Sequence, residues 1–247
     1  MCGRGGHDFS WKQVHDYLQI SGQAPSGHFR RLNVAPSSRR ADGVDWTHLP
    51  VIVADAAGQR QLVRMTWPLV PGWMKGELPK FSTANCRSEP GVAFSDTVAK
   101  KPTFRNAWKK AQRCLVPFSW FYEWDQRTKP KQPWRVLPQH APMLVMAGLW
   151  DETRPAGGTA FRSFTLVTAE PNQLLRDIGH HRAPVILDPD QWSAWLQGPV
   201  EQAEAVIGPP SEDALTAHRV TTRVNNPGYQ EENLLQSIDE VGGQPGG

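Results

Sequence analysis

Residues 113–124, RCLVPFSWFYEW, limit the possible folds of this chain more than any other stretch. The run is aromatic and almost wholly apolar, which favours a strand buried in a sheet. One carboxylate, Glu123, lies inside it between Tyr122 and Trp124. A carboxyl stripped of water in such a place suits acid–base work near neutral pH. The competing reading is a Glu on the outer face of an edge strand. Further strands are expected at 51–54, 61–67, 134–137, 143–150, 161–168 and 218–224, the one at 143–150 apolar enough to be buried. Helical spacing marks 9–20 (Phe9, Trp11, Val14, Tyr17, Leu18), 103–112, 170–178 and 190–196. Residues 199–217 read as helical pieces interrupted at Gly208-Pro209-Pro210, and 125–133 as a mobile, charged hairpin loop. With 22 prolines and 21 glycines among 247 residues, elements are short and turns many. Neither a repeat nor a linker divides the chain, so one domain is expected over 1–235, with 236–247 as a disordered tail.

Several function classes are excluded on simple grounds. A net charge of +3 permits an anionic partner without requiring one. The three cysteines, Cys2, Cys86 and Cys114, are odd in number, widely spaced and without a CxxC, which argues against a disulfide framework or a zinc ribbon. His180 and His181 are adjacent, so on a strand they point to opposite faces and would not share one metal. No metal and no organic cofactor are expected. No apolar run approaches the ~20 residues of a membrane span, and the polar start has no apolar signal segment. The chain is read as cytoplasmic, without membrane contact and without any sign of an oligomer; a reducing compartment would keep its thiols free.

Met1-Cys2-Gly3-Arg4 carries distinctive chemistry. Once Met1 is removed, Cys2 bears an α-amine and a thiol two atoms apart. The amine titrates near pH ~8 and the thiol near ~8.5, so both supply some nucleophile at neutral pH. Such a 1,2-aminothiol traps aldehydes: the amine forms an imine and the sulfur closes a five-membered thiazolidine. Three other stretches stand out. Residues 67–74 form a Pro/Gly-punctuated loop with two tryptophans, usable as a lid on the core or as a stacking wedge. Asn85, Arg87 and Glu89 alternate, so on a strand they share a face. His180-His181-Arg182, ahead of a strand, suits acid–base work beside an anion.

Six motifs in order span most of the chain: Met1-Cys2-Gly3-Arg4, Asn33-Val34-Ala35-Pro36, Pro71-Gly72-Trp73, Asn85-Cys86-Arg87-Ser88-Glu89, Trp120-Phe121-Tyr122-Glu123-Trp124 and His180-His181-Arg182-Ala183-Pro184. In this the chain resembles the SOS-response-associated peptidase family, whose members shield abasic sites in single-stranded DNA by covalent crosslinking. The resemblance implies an α+β domain with a curved, mostly antiparallel, barrel-like β core and peripheral helices. It implies that Cys2 forms the thiazolidine with the ring-opened sugar, that Glu123 shuttles protons, that Asn85 orients the amine and the sugar, and that His180 assists imine chemistry and reversal. It further implies that Arg4, Arg87 and Arg182 hold phosphates and that Trp73 and Met74 wedge against bases. Gly3, Pro36 and Trp124 complete the expected DNA-contacting set, and the protein would join the nucleoid when bound. Two positions depart from the family pattern: Gly179 stands where an aliphatic residue is expected before the histidine, and Ala183 where Met or Arg is expected before Pro184. His180 is taken over His181 by its distance from Pro184.

Two other functions use the same residues. A cysteine peptidase acting on other proteins would employ Cys2 and His180 as nucleophile and base. A non-covalent single-stranded DNA-binding module would not need Cys2 at all.

Overall fold

The computed structural model describes residues 3–239; Met1, Cys2 and 240–247, including most of the expected tail, lie outside the described residues. Strand β1 (Gly5–Ser10) leads into helix α1 (Trp11–Leu18), and β2 (His28–Val34) returns antiparallel to β1. The helix expected from residue 9 thus starts at Trp11. Ser10 accepts from the Gln13 amide while the Gln13 side chain accepts from the Ser10 amide, a capping box that ends the strand and starts the helix. A small exposed hairpin absent from the sequence reading follows, made of β3 (Ser38–Arg40) and β4 (Gly43–Asp45).

The rest of the first half contributes β5 (Thr47–Ala54), β6 (Arg60–Trp67), β7 (Asn85–Arg87) and helices α2 (Phe94–Ala99) and α3 (Pro102–Lys109). Then come β8 (Arg113–Phe118), β9 (Trp120–Asp125), β10 (Gln132–Pro138), β11 (Leu144–Thr153) and β12 (Phe161–Ala169). Helix α4 (Gln173–Asp177), β13 (Ala183–Pro184), α5 (Trp192–Gln197), α6 (Val200–Ala205) and β14 (Leu215–Arg219) complete the order.

The core is a closed, barrel-like ring. Its strands run β11, β8, β5, β6, β12 and back to β11. All neighbours are antiparallel except β12 and β6, which meet in parallel at Ser163 and Thr66. A Cβ on Gly148 would sit 2.8 Å from the Cys114 sulfur and 2.9 Å from the Thr165 carbonyl, so β11 needs glycine where it is clasped between β8 and β12. Beside the ring lies a five-stranded sheet, β14-β10-β9-β1-β2. Helices α2, α3, α5 and α6 pack at the periphery. Trp108 stacks near Trp195 and Phe94, and the Trp195 indole donates to the Cys114 carbonyl of β8 at 2.9 Å. The expected α+β class with a curved, mostly antiparallel core is what the chain forms. Among the described residues, no helix is long and apolar enough to cross a membrane.

Residues 113–124 are two strands rather than one. The break falls at Ser119, whose amide donates to the Gly6 carbonyl and whose hydroxyl accepts from the Asp8 amide at 2.8 Å. The β8 half joins the ring and the β9 half joins the five-stranded sheet. Near the C-terminus, 215–219 form β14 and 222–225 a 3-10 turn, which replaces the strand expected at 218–224. Residues 236–239, placed by sequence in the tail, are held: Ile238 donates to Arg219, and Arg219 pairs with Asp239.

His7 sits inside β1, fully buried against Phe9, Phe29 and Phe118, with ring centroids 4.4–5.6 Å away. Burial drives its imidazole down to about 3. The folded value lies below the unfolded one of 6.5, so folding disfavours proton uptake and stability falls as pH drops through 6.5 towards 3. The expected loss between pH 7.5 and pH 5 is about 2 kcal/mol. Urea unfolding at both pH values checks this. A His7→Phe variant should lose that share of the pH dependence; an unchanged slope would overturn the assignment.

Candidate functional site

Two elements bring the site together. Along β9, alternation turns Trp120, Tyr122 and Trp124 to one face and Phe121, Glu123 and Asp125 to the other. Tyr122 is buried and donates its hydroxyl to the Leu32 carbonyl at 3.0 Å, anchoring β9 on β2. The second element is α4 and the turn after it. Asn172 caps α4 by accepting from the Leu175 amide, and the His180 amide closes its end on the Leu175 carbonyl at 2.8 Å. Gly179 makes the turn with φ of +83°, a conformation open to glycine.

This turn seats His180 on Glu123. The imidazole Nε2 lies 2.8 Å from Glu123 Oε2, with side-chain exposures of 1% and 2%, so the contact is fully desolvated. Nδ1 is 2.9 Å from the Arg182 carbonyl, which can only accept, so Nδ1 carries hydrogen. Nε2 and the carboxyl oxygen therefore share one proton between them. A contact of this length between an imidazole nitrogen and a carboxyl oxygen is suited to proton transfer. Beside it opens a polar cavity of about 350 Å³ lined by Glu123, Trp124, Gln126, Lys131, His180 and Asn225. His181 is exposed, its ring stacked near His180 at 5.4 Å, and burial together with His180, Arg182 and Arg87 keeps it below the usual imidazole range. The choice of His180 over His181 thus has a geometric counterpart: His180 is the one against the carboxyl.

The start of the chain runs to the same place. Gly5 pairs with Phe121 in antiparallel register, and the Tyr122 amide donates to the Arg4 carbonyl at 2.9 Å. Arg4 and Gly5 thus lie alongside Tyr122 and Phe121, the residues that precede Glu123 on β9. Cys2 lies outside the described residues.

The remaining expected residues divide into exposed and committed ones. Strand β7 runs parallel to β12, with Asn85 opposite Leu166 and Arg87 opposite Thr168. Cys86 points into the core while Asn85 is half-buried and Arg87 exposed on the other face; Glu89 falls past the strand end. Arg182 is buried, donating to the Ser88 and Thr168 carbonyls, and so ties β13 to β12 and the end of β7. Arg4 donates to Asn33 Oδ1 at 3.1 Å and to the Val224 carbonyl at 2.5 Å, with its guanidinium over the Trp124 ring. Asn33 is itself buried and donates to the Val224 and Asn226 carbonyls. Of the three arginines expected at phosphates, Arg87 is the exposed one, and the other two tie strands and loops together. Trp124 donates its indole N–H to Asn225 at 2.7 Å.

In the Pro/Gly loop, Trp67 is buried and Trp73 is 52% exposed on a 3-10 turn, Gly72–Met74, with Met74 half-buried. Amides of Gly72 and Gly76 donate to Asp151 and Thr153 of β11, so the exposed indole stands on a fixed loop. Pro36 lines a larger groove of about 790 Å³ bordered by Arg30, Arg31, Arg40 and Trp46. Cys86 and Cys114 are buried, and burial raises both thiols, Cys86 to about 12, so neither is a nucleophile near neutral pH. Among the described residues no cluster of three His, Cys, Asp or Glu is placed to hold a metal. Sequence reading missed Asp125, Arg127 and Lys131, which it assigned to a mobile hairpin loop. Charged type alone does not distinguish a solvated loop from one pinned to its neighbour.

Comparison with known proteins bears on this arrangement. Residues 1–227 match the family model described as SOS response associated peptidase (SRAP). The abasic site processing protein YoaM of Bacillus subtilis is 29% identical over 246 residues, covering 98% of this chain and all of that protein. The abasic site processing protein HMCES of Gallus gallus is 33% identical over 196 residues, 69% of this chain and 55% of that protein. Among solved structures, a protein from Bacteroides thetaiotaomicron superposes with a TM-score of 0.74 at 20% identity, covering 96% of this chain and all of that one. One from Bordetella bronchiseptica reaches 0.69 at 26% identity, covering 89% of this chain and all of its own. With a family match across nearly its whole length, the chain belongs to the SOS response associated peptidase family.

Proposed function

We propose that this protein processes abasic sites in single-stranded DNA by linking to them covalently through Cys2 once Met1 has been removed. The observation that carries the reading is the buried Glu123–His180 pair beside the strand that leads to the N-terminus. The relatives YoaM and HMCES carry the name abasic site processing protein, which agrees with this lesion as the target.

The chemistry follows from the groups present. An abasic deoxyribose opens to an aldehyde. The Cys2 amine adds to the carbonyl carbon, one N–H proton passing to the oxygen; a proton from the Glu123–His180 pair then lets the hydroxyl leave as water while the nitrogen returns its second proton to the pair, forming an imine. The Cys2 S–H then adds across C=N: sulfur bonds the carbon and the proton passes to nitrogen, closing the thiazolidine. The net change is loss of one water. Asn85 orients the amine, Arg87 meets a flanking phosphate, and Trp73 with Met74 stacks against a base; phosphate contacts set register while the aldehyde supplies specificity. Met1 removal is either self-catalysed or the work of an aminopeptidase.

A peptidase acting on other chains would need the His180 imidazole to take the Cys2 thiol proton. Intact mass spectrometry with a single-stranded oligonucleotide bearing one abasic site tests the proposal. The expected product is the Met1-free protein plus the oligonucleotide less one water. A Met1-free protein without adduct would discard the covalent reading in favour of a non-covalent single-stranded DNA binder.

A further inference from the structure

Gly179 departs from the family pattern, and the structure gives the departure a physical cause. A Cβ at this position would lie 2.7 Å from Asp125 Oδ1 and 2.8 Å from Arg127 Nε, so the Asp125–Arg127 pair fills the space a side chain would need. That pair is densely bonded. Arg127 donates Nε to Asp125 Oδ1 and Nη2 to Oδ2, both at 2.9 Å, and its backbone amide donates to Oδ1 at 2.9 Å. Nη2 also donates to the Asp177 carbonyl at 2.6 Å, the last residue of α4. Asp125 and Glu123 are two apart on β9 and so share a face. The segment 177–180 is therefore held on one strand at two points: its backbone by Asp125 through Arg127, and its imidazole by Glu123.

We propose that Arg127 is a positioning residue: with Asp125 it clamps the Asp177–Gly179 backbone so that the His180 imidazole meets Glu123 in proton-transfer geometry. The inference rests on the abasic-site reading for its rate measurement but not for its structural one. A rigid seat matters because small misplacements of a proton-transfer partner slow the step it serves. The pair is specific to the guanidinium fork, which grips a carboxylate and a carbonyl at once; a lysine ammonium reaches one of them well.

The test has two arms on Arg127→Ala, Arg127→Lys and wild type. The first is ¹⁵N NMR of the His180 ring nitrogens in the free protein, which needs no DNA. The expected result is shifted or broadened His180 signals in Arg127→Ala and partial recovery in Arg127→Lys; spectra superimposable on wild type overturn the proposal. The second is the single-turnover crosslinking rate at saturating abasic oligonucleotide, alongside the half-saturating concentration. Arg127→Ala is expected to lose about 10–10²-fold in rate, up to the order that a 1 Å misplacement produces, with half-saturation unchanged. A higher half-saturating concentration with unchanged rate would make Arg127 a phosphate contact, and a lower melting temperature alone would make it a structural tie; either overturns the proposal. If wild type forms no crosslink, the abasic-site reading fails, and the NMR arm still decides the clamp.

Discussion

Cys2→Ala is expected to form no crosslink that survives denaturation. Alanine at the mature N-terminus keeps the α-amine, so an imine with the abasic aldehyde remains accessible, but no sulfur is present to close the ring. An imine hydrolyses, whereas a thiazolidine is a saturated ring. The other thiols cannot substitute, because Cys86 and Cys114 are buried and held in the thiol form. Denaturing gel electrophoresis after incubation with the abasic oligonucleotide should show complete loss of the slow band, and borohydride added during incubation should restore an adduct by reducing the imine. A stable adduct in the variant without reductant would remove Cys2 from the mechanism.

Glu123→Gln should lower the crosslinking rate by about 10²–10⁴, the range for removing a positioned acid–base group. The substitution isolates chemistry from folding. The Gln amide can donate to His180 Nε2 while Nδ1–H continues to donate to the Arg182 carbonyl, so the buried hydrogen bonds survive. What disappears is the exchangeable proton shared by the pair. DNA affinity, set by phosphate and stacking contacts, is expected to hold. Glu123→Ala would be the poorer probe, since it leaves His180 buried without its partner, a loss of about 1–3 kcal/mol in stability. A Glu123→Gln rate equal to wild type would show that the proton comes from elsewhere.

The two central residues differ in how readable they were. Glu123 stood out because a lone carboxylate in an aromatic run is chemically unusual, and its burial follows from its neighbours. Motif spacing favours His180 over His181, yet its seat on Glu123 depends on the left-handed turn at Gly179 and on the Asp125–Arg127 pair packed against that turn. The arginines show the limit of residue type. Guanidinium groups suggest phosphate, but a guanidinium also has five donors suited to stray carbonyls, and Arg4 and Arg182 are engaged in that way. Trp67 and Trp73 belong to one stretch but differ in exposure: the Pro/Gly punctuation announced a loop, while the choice of which indole is buried came from packing on the ring and on Phe164.

By itself the sequence determined the class of fold and pointed to candidate reactive residues: a cysteine at the second position, a carboxylate in an apolar strand, a histidine ahead of Pro184, short strands with few long helices. These are properties of side-chain chemistry and of local periodicity, which need no knowledge of distant neighbours. Tertiary structure alone decided the break at Ser119 that sends β8 and β9 into different sheets, and the register that pairs Gly5 with Phe121, two residues from Glu123. The physical reason is that strand pairing is set by partners remote in sequence. Both halves of residues 113–124 are strongly strand-forming, and the edge each one meets decides which sheet it joins.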